Sequence, residues 1–310
     1  MSSILVLGAT GTIGFQICLA FLNKGFKVYG LVRNQNKADI LLKNEKLHLL
    51  TFYSKVIPVV GCASDTKRWG KVAETVDVVI EAVSDNDNPE TVNIIFEKLK
   101  LISKNKPNLV IIYTSGAWIY PSSCDLVDEN TPYKPLHPAL NSKIEAEAKY
   151  LSIGGISIQP TFVYGRAGSE TGLYFKWATE SKDGVVKVYG KNDQYLSFVH
   201  AVDLAQLYLL AALNAPVARG HTFIGCSGYF KTEEIIRTIA KSANVHIESV
   251  EFVEPPKDDV YLNLLTISIA ATSRKANNLL GWKPTQPSLI DDPNRYLHAW
   301  RLGRNNSTNN

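Results

Sequence analysis

Three glycines spaced three apart, in Gly8-Ala9-Thr10-Gly11-Thr12-Ile13-Gly14, follow a short apolar run and open a helical pattern. Glycine at such places permits a tight turn, lets the backbone approach a pyrophosphate, and allows close helix–strand packing. The helix that begins there turns free N–H groups and a partial positive charge toward the anion. This is a spacing variant of the dinucleotide fingerprint. Gly8, Thr10, Gly11, Thr12, Ile13 and Gly14 form the expected cofactor cradle. The next apolar run ends Gly30-Leu31-Val32-Arg33. An NAD site typically carries Asp or Glu at this strand end, accepting from the ribose 2′-hydroxyl. Arg33 stands there instead, with Lys37 nearby, and a guanidinium forks onto a 2′-phosphate. The expected cofactor is NADP, with NAD as the alternative.

The elements that must hold these residues alternate along the first half. Apolar runs at Ile4–Leu7, Lys27–Val32, Val56–Val60, Val76–Ala82 and Leu109–Thr114 read as strands. Between the first two, Ile13, Ile17, Ala20 and Phe21 recur at helical spacing, and Gly25 ends the run as a C-cap would. Thr91–Lys100 and Asn141–Leu151 also read as helices. Uninterrupted apolar strands alternating with helices predict a parallel sheet covered on both faces, a doubly wound α/β fold. The second half is thicker in Gly, aromatic and polar residues. It holds a strand and long apolar helix over Phe198–Leu213 and an amphipathic helix over Thr232–Ala240.

Length and composition narrow the class. At 310 residues, 45% hydrophobic and 20% charged, the chain fits a large domain with a smaller one woven into it. A net charge of +4 is too slight for a nucleic-acid arm. Four scattered cysteines without a C-x-x-C pair read as reduced thiols. Ile4–Leu7 is too short for a signal h-region, and no run approaches a membrane span. The expected compartment is the cytoplasm, with nuclear entry left open. Asp85-Asn86-Asp87-Asn88 lacks the full calcium-loop pattern and reads as a solvated turn, and no zinc spacing occurs. No metal site is expected.

Further segments carry a family likeness. Gln159-Pro160-Thr161-Phe162-Val163-Tyr164-Gly165, Phe198-Val199-His200-Ala201-Val202-Asp203-Leu204-Ala205 and Leu280-Gly281-Trp282-Lys283-Pro284 follow the glycine turn in order. With them the chain resembles the extended short-chain dehydrogenase/reductase superfamily, its epimerase/dehydratase branch, over about residues 3 to 290. The resemblance implies a Rossmann-type doubly wound parallel sheet with a smaller mixed α/β C-terminal substrate domain. On that pattern, 1–165 and about 191–225 form the dinucleotide domain, about 166–190 and 226–303 the substrate domain, and 304–310 a frayed tail. The segment around Phe198 is expected to return to the first domain. A small-molecule substrate would lie in the cleft between the two, and a homodimer follows by analogy.

The same resemblance exposes two gaps. Members use Tyr-x-x-x-Lys with a Ser or Thr from the fifth strand. Lys143 takes the lysine position and is the expected ribose anchor, yet Ala139 stands where the tyrosine belongs. In Tyr113-Thr114-Ser115-Gly116-Ala117-Trp118-Ile119-Tyr120, Gly116 takes the place of the serine. Ser115 is one residue away, and because side chains alternate along a strand it serves only if the strand has already ended. Tyr120 and Tyr164 are the candidate replacement acids, with Tyr133 and His137 on neighbouring segments. Ser142-x-x-Glu145 is a candidate capping box at the start of the Lys143 helix. Trp118, Tyr174, Phe175 and Trp177 line an apolar pocket or fill the core between domains. An NADP-dependent oxidoreductase of atypical mechanism is the leading reading. A non-catalytic NADP(H)-binding sensor and a sugar-nucleotide epimerase or dehydratase are the alternatives.

Overall fold

The computed structural model describes residues 2–43, 56–84, 88–165, 171–181 and 183–307, with side chains through Leu302. Seven strands form one parallel sheet. They are β1 (Ser3–Leu7), β2 (Lys27–Val32), β3 (Ile57–Val60), β4 (Val78–Glu81), β5 (Val110–Thr114), β7 (Ile156–Pro160) and β11 (Thr222–Gly225). Their order is β11-β7-β5-β4-β1-β2-β3, and each neighbouring pair is parallel. The order reverses direction at β1, which leaves a crevice beyond the strand ends where ligands bind in such sheets. Ile4, Leu5, Val6 and Leu7 are fully buried because helices cover both faces.

One face carries α1 (Thr12–Asn23), and the other carries α3 (Thr66–Ala73), α4 (Thr91–Asn105) and α5 (Asn141–Ser152). The short α2 (Gln35–Lys43) follows β2, and the Asn34 side chain accepts from the Lys37 N–H at 3.0 Å to start it. The strand Lys27–Val32 is found as expected, and other boundaries shift by up to five residues, most at the C-terminal end of α4.

The smaller part is mixed. A three-stranded sheet joins β8 (Phe162–Tyr164), β10 (Tyr195–His200) and β12 (Gly228–Lys231), with β10 parallel to β8 and antiparallel to β12. A short strand β6 (Leu126–Val127) pairs with Ala270–Ala271, and β9 (Val185–Tyr189) pairs with Ser249–Val253. Helices α6 (Gly172–Thr179), Thr232–Ser242 and Pro293–Ser307 pack around them. The β10 strand thus belongs to the smaller sheet. The chain returns to the larger one through α7 (Ala201–Leu213), packed on α1, and through β11.

Two segments of the sequence likeness meet here. The Asp203 carboxylate accepts from the Thr285 N–H at 3.0 Å, the Thr285 hydroxyl at 2.9 Å and the Gln286 N–H at 3.1 Å. Its backbone carbonyl accepts from the Trp282 indole at 2.8 Å. Asp203 is a structural clasp. Two end-of-helix expectations change. The last helix runs through Ser307, four residues into the stretch expected to fray. The Ser142 hydroxyl donates to the Ala139 carbonyl, so no capping box forms and α5 starts at Asn141 without a side-chain cap. No described helix is long and apolar enough to cross a membrane.

Candidate active site

A cavity of about 640 Å³ opens at the carboxyl ends of the central strands. At one end lie Gly8, Thr10, Gly11, Thr12, Ile13 and Gly14, with Arg33 and Lys37; all of the expected cofactor residues line the same space. The glycines are there for want of room. Gly8 has φ +87°, and a Cβ on it would stand 2.4 Å from the Ala82 carbonyl oxygen. A Cβ on Gly14 would stand 2.2 Å from the Gly8 carbonyl oxygen. The Gly11 N–H donates to that same Gly8 oxygen at 3.1 Å, closing the turn from which α1 starts at Thr12. The exposed Arg33 guanidinium donates to the Ser84 carbonyl at 3.3 Å across the mouth. Among the described lining residues three are cationic, Arg33, Lys37 and Lys143, and none is acidic. A backbone turn with no room for a Cβ at Gly8 or Gly14, lined by cations and by no described carboxylate, fits an anionic dinucleotide.

At the other end stand Ser115, Gly116, Ala117, Trp118, Leu140 and Lys143. Strand β5 stops at Thr114, so the alternation that would turn Ser115 away from the cavity has already ended. Ser115 is buried, lines the cavity, and its Oγ has no hydrogen-bond partner among the described residues. Gly116 is extended, and a Cβ built on it would meet nothing within 4 Å. Ala139 lies in the 3₁₀ turn Pro138–Leu140 ahead of α5 and is exposed. Lys143 follows in the first turn of α5.

Tyr120 and Tyr164 do not reach this space. The Tyr120 hydroxyl is buried and donates to Gln159 Oε1 at 2.8 Å. Burial first, then the neighbouring Tyr133, push its acidity far out of the working range. Tyr164 donates to the Pro287 carbonyl at 3.0 Å within an aromatic cluster with His200, Phe198 and Tyr296. Burial raises its pKa as well. Neither expected acid is among the residues that line the cavity, and each hydroxyl donates to a partner within the fold. His137 spends Nδ1 accepting from the Ala139 N–H at 3.1 Å. Tyr133 donates to the buried Glu147, which also accepts from Ser157 at 2.6 Å and from Gln159. Gln159 stands where the sequence likeness has Arg, and it satisfies Glu147 with an amide instead of a cation. Of the four aromatic pocket candidates, Trp118 alone lines this cavity; Tyr174 and Phe175 are buried in the smaller part's core, and Trp177 packs on it.

One buried carboxyl next to the cavity gives no signal in the sequence. Glu81 ends β4 in register with Tyr113 and is 1% exposed, directly beneath the cavity-lining Ala82 and Val83. Its Oε1 accepts from the Val83 N–H at 3.0 Å, whereas Oε2 has no partner among the described residues. Burial raises its pKa to about 7, against the opposing pull of that hydrogen bond and of Lys143. The Asp85–Asp87 loop lies outside the described residues. Among the described residues no group of three His, Cys, Asp or Glu side chains could hold a metal.

With that geometry in place, comparison with known proteins is decisive on the family. A family model described as the NAD dependent epimerase/dehydratase family matches residues 4–225. The chain belongs to that family. Among curated proteins of similar sequence, C2A9.02 of Schizosaccharomyces pombe is 25% identical, covering 93% of this chain and 97% of its own. The photosystem II assembly factor Ycf39 of Trieres chinensis is 24% identical over 75% of this chain and 67% of its own. Solved structures of the epimerase/dehydratase fold superpose along nearly the whole length. A dTDP-glucose 4,6-dehydratase from Bacillus anthracis in complex with NAD gives a TM-score of 0.78 at 16% identity, covering 98% of each chain. A UDP-glucose 4-epimerase from Bifidobacterium longum in complex with NAD+ and UDP gives 0.75 at 20% identity, covering 98% and 99%. At these identities the likeness is one of fold.

Proposed function

We propose that this member of the epimerase/dehydratase family binds NADP(H) along the cavity and acts as an oxidoreductase on a small molecule, without the tyrosine its family normally uses. The observation that carries the reading is the lining itself: a glycine cradle, a cationic end at Arg33 and Lys37, and Lys143 at the far end with a Ser115 hydroxyl that has no partner among the described residues. When bound, the nicotinamide supplies or accepts a hydride. Gly8 to Gly14 admit the pyrophosphate, and Arg33 answers a 2′-phosphate with a forked, charge-assisted contact. Lys143 anchors the nicotinamide ribose. Ser115 offers its hydroxyl to the reacting oxygen from one residue before the family's serine position, because β5 ends at Thr114. Orientation supplies a large part of the rate, while a missing acid costs roughly 10²- to 10⁴-fold, so turnover is expected to be slow.

A second reading is a non-catalytic NADP(H)-binding protein that signals through its surface. The truncated side chains at Ala139 and Gly116 favour it, as does the likeness to a protein named as an assembly factor. Sugar-nucleotide epimerase or dehydratase chemistry has support from the solved structures that hold NAD with dTDP- or UDP-sugar enzymes, but Ala139 leaves it without its usual base. NADPH deuterated at C4, presented with a panel of carbonyls, enones and imines, separates the first two. Deuterium in a product, lost in Lys143→Ala, supports the oxidoreductase. Tight NADPH binding with no transfer across the panel favours the second reading.

A further inference from the structure

Glu81, the buried carboxyl that ends β4, has neighbours on five elements. Leu7 of β1 stands in register on one side and Tyr113 of β5 on the other. On α5, Lys143, Glu147 and Tyr150 follow one another at helical spacing along one face, and Tyr150 stacks on Tyr113 with ring centres 4.6 Å apart. Phe96 of α4 meets Tyr150 edge-on at 5.2 Å. From α7 the Tyr208 hydroxyl donates to Thr114 Oγ1 at 2.8 Å, and Thr114 in turn donates to the Glu81 carbonyl at 2.6 Å. The backbone of Glu81 is thus pinned, while its Oε2 and the Tyr150 hydroxyl are buried without partners among the described residues.

Few of these groups carry charge. Burial holds the phenols of Tyr113, Tyr150 and Tyr208 neutral. Glu147 is engaged by Tyr133, Ser157 and Gln159. Among the described residues, the positive charge that acts on Glu81 is Lys143, which also lines the cavity. Burial favours the acid and one ammonium favours the carboxylate, so the group is balanced between its two forms. A second positive charge at the Lys143 end tips that balance. NADP+ and NADPH carry the same phosphates and differ at the nicotinamide, which is cationic when oxidised and neutral when reduced. We propose that Glu81 is a proton-binding site linked to the oxidation state of the bound nicotinamide, releasing its proton to solvent under the oxidised ring and keeping it under the reduced one. The proposal rests on the reading that Lys143 anchors the nicotinamide ribose, and adds a regulation to it. Because proton release strengthens binding as pH rises, acidic conditions favour the reduced form and alkaline conditions the oxidised form.

The test is calorimetric titration of the protein with NADP+ and with NADPH, in buffers of different ionisation enthalpy so that protons are counted. Near neutral pH the oxidised form is expected to release roughly half a proton more than the reduced form. The affinity for NADP+ relative to NADPH should rise roughly fivefold from about pH 6 to about pH 8. Glu81→Gln keeps an acceptor for the Val83 N–H, and its ratio should no longer move with pH. Thermal melts report whether that variant keeps its fold, and the proton count on the parent stands in either case. Equal proton counts for the two forms, or a ratio that still rises with pH in folded Glu81→Gln, overturns the proposal and leaves the cofactor site standing. A parent that binds only NAD+ and NADH is tested with that pair, and the NADP preference alone falls. A parent that binds no dinucleotide overturns the cofactor reading and the proposal with it.

Discussion

The two ends of the cavity use glycine for opposite reasons. At the cofactor end Gly8 and Gly14 are crowded, with backbone oxygens where a Cβ would sit. At the reaction end Gly116 stands in the open, and an added Cβ touches nothing within 4 Å. The first end is over-determined: turn, helix start and close strand contact all demand the same residues. The second is open, with Gly116 and Ala139 where the sequence resemblance implies a serine and a tyrosine. A fold can therefore keep its dinucleotide cradle intact while the chemistry beside it is rebuilt, because the constraints at the two ends are physically separate.

Substitutions can break or sharpen this contrast. Gly14→Ala forces a Cβ to 2.2 Å from the Gly8 oxygen and should cost about 3 kcal/mol or more, with loss of NADPH binding. Urea unfolding measures it, and an unchanged midpoint would show that the cradle has slack. Glu81→Gln probes the floor between the ends. The unfolded carboxyl loses its proton near pH 4.5, but the folded one holds it to about pH 7. Stability is therefore lost as pH rises from about 4.5 to 7 and is level above, a cost of about 3 kcal/mol. Glutamine keeps an acceptor for the Val83 N–H and should remove that slope, leaving the variant more stable than the parent at pH 8 and similar near pH 4. Melting curves across pH decide, and parallel curves would place the charge elsewhere. Gly116→Ala should change stability by less than about 0.5 kcal/mol, since the position is open; a larger drop would mean the reaction end is tighter than it looks.

What was readable from the sequence follows the same divide. The strands, the glycine turn, Arg33 and Lys143 depend on local pattern, and the structure places them together around one cavity. Where the Tyr120 and Tyr164 hydroxyls point is not legible locally, because it depends on distant partners: Gln159, thirty-nine residues on, and Pro287. Ser115 turned on where β5 stops, and strand ends are set by pairing with neighbours rather than by composition. Glu81 gave no local signal. Its character comes from burial beside Tyr113 and from an oxygen with no partner among the described residues, both products of packing.

Whether the cavity prefers NADP, as proposed from Arg33, is a question of relative affinity. It is tested by NADPH and NADH affinities of the parent and of Arg33→Ala, measured by calorimetry at fixed ionic strength. The account predicts that the parent binds NADPH more tightly than NADH. The ratio should fall roughly tenfold in Arg33→Ala, about 1.4 kcal/mol, with NADH affinity nearly unchanged. An unaltered ratio, or a parent that binds neither dinucleotide, would contradict it.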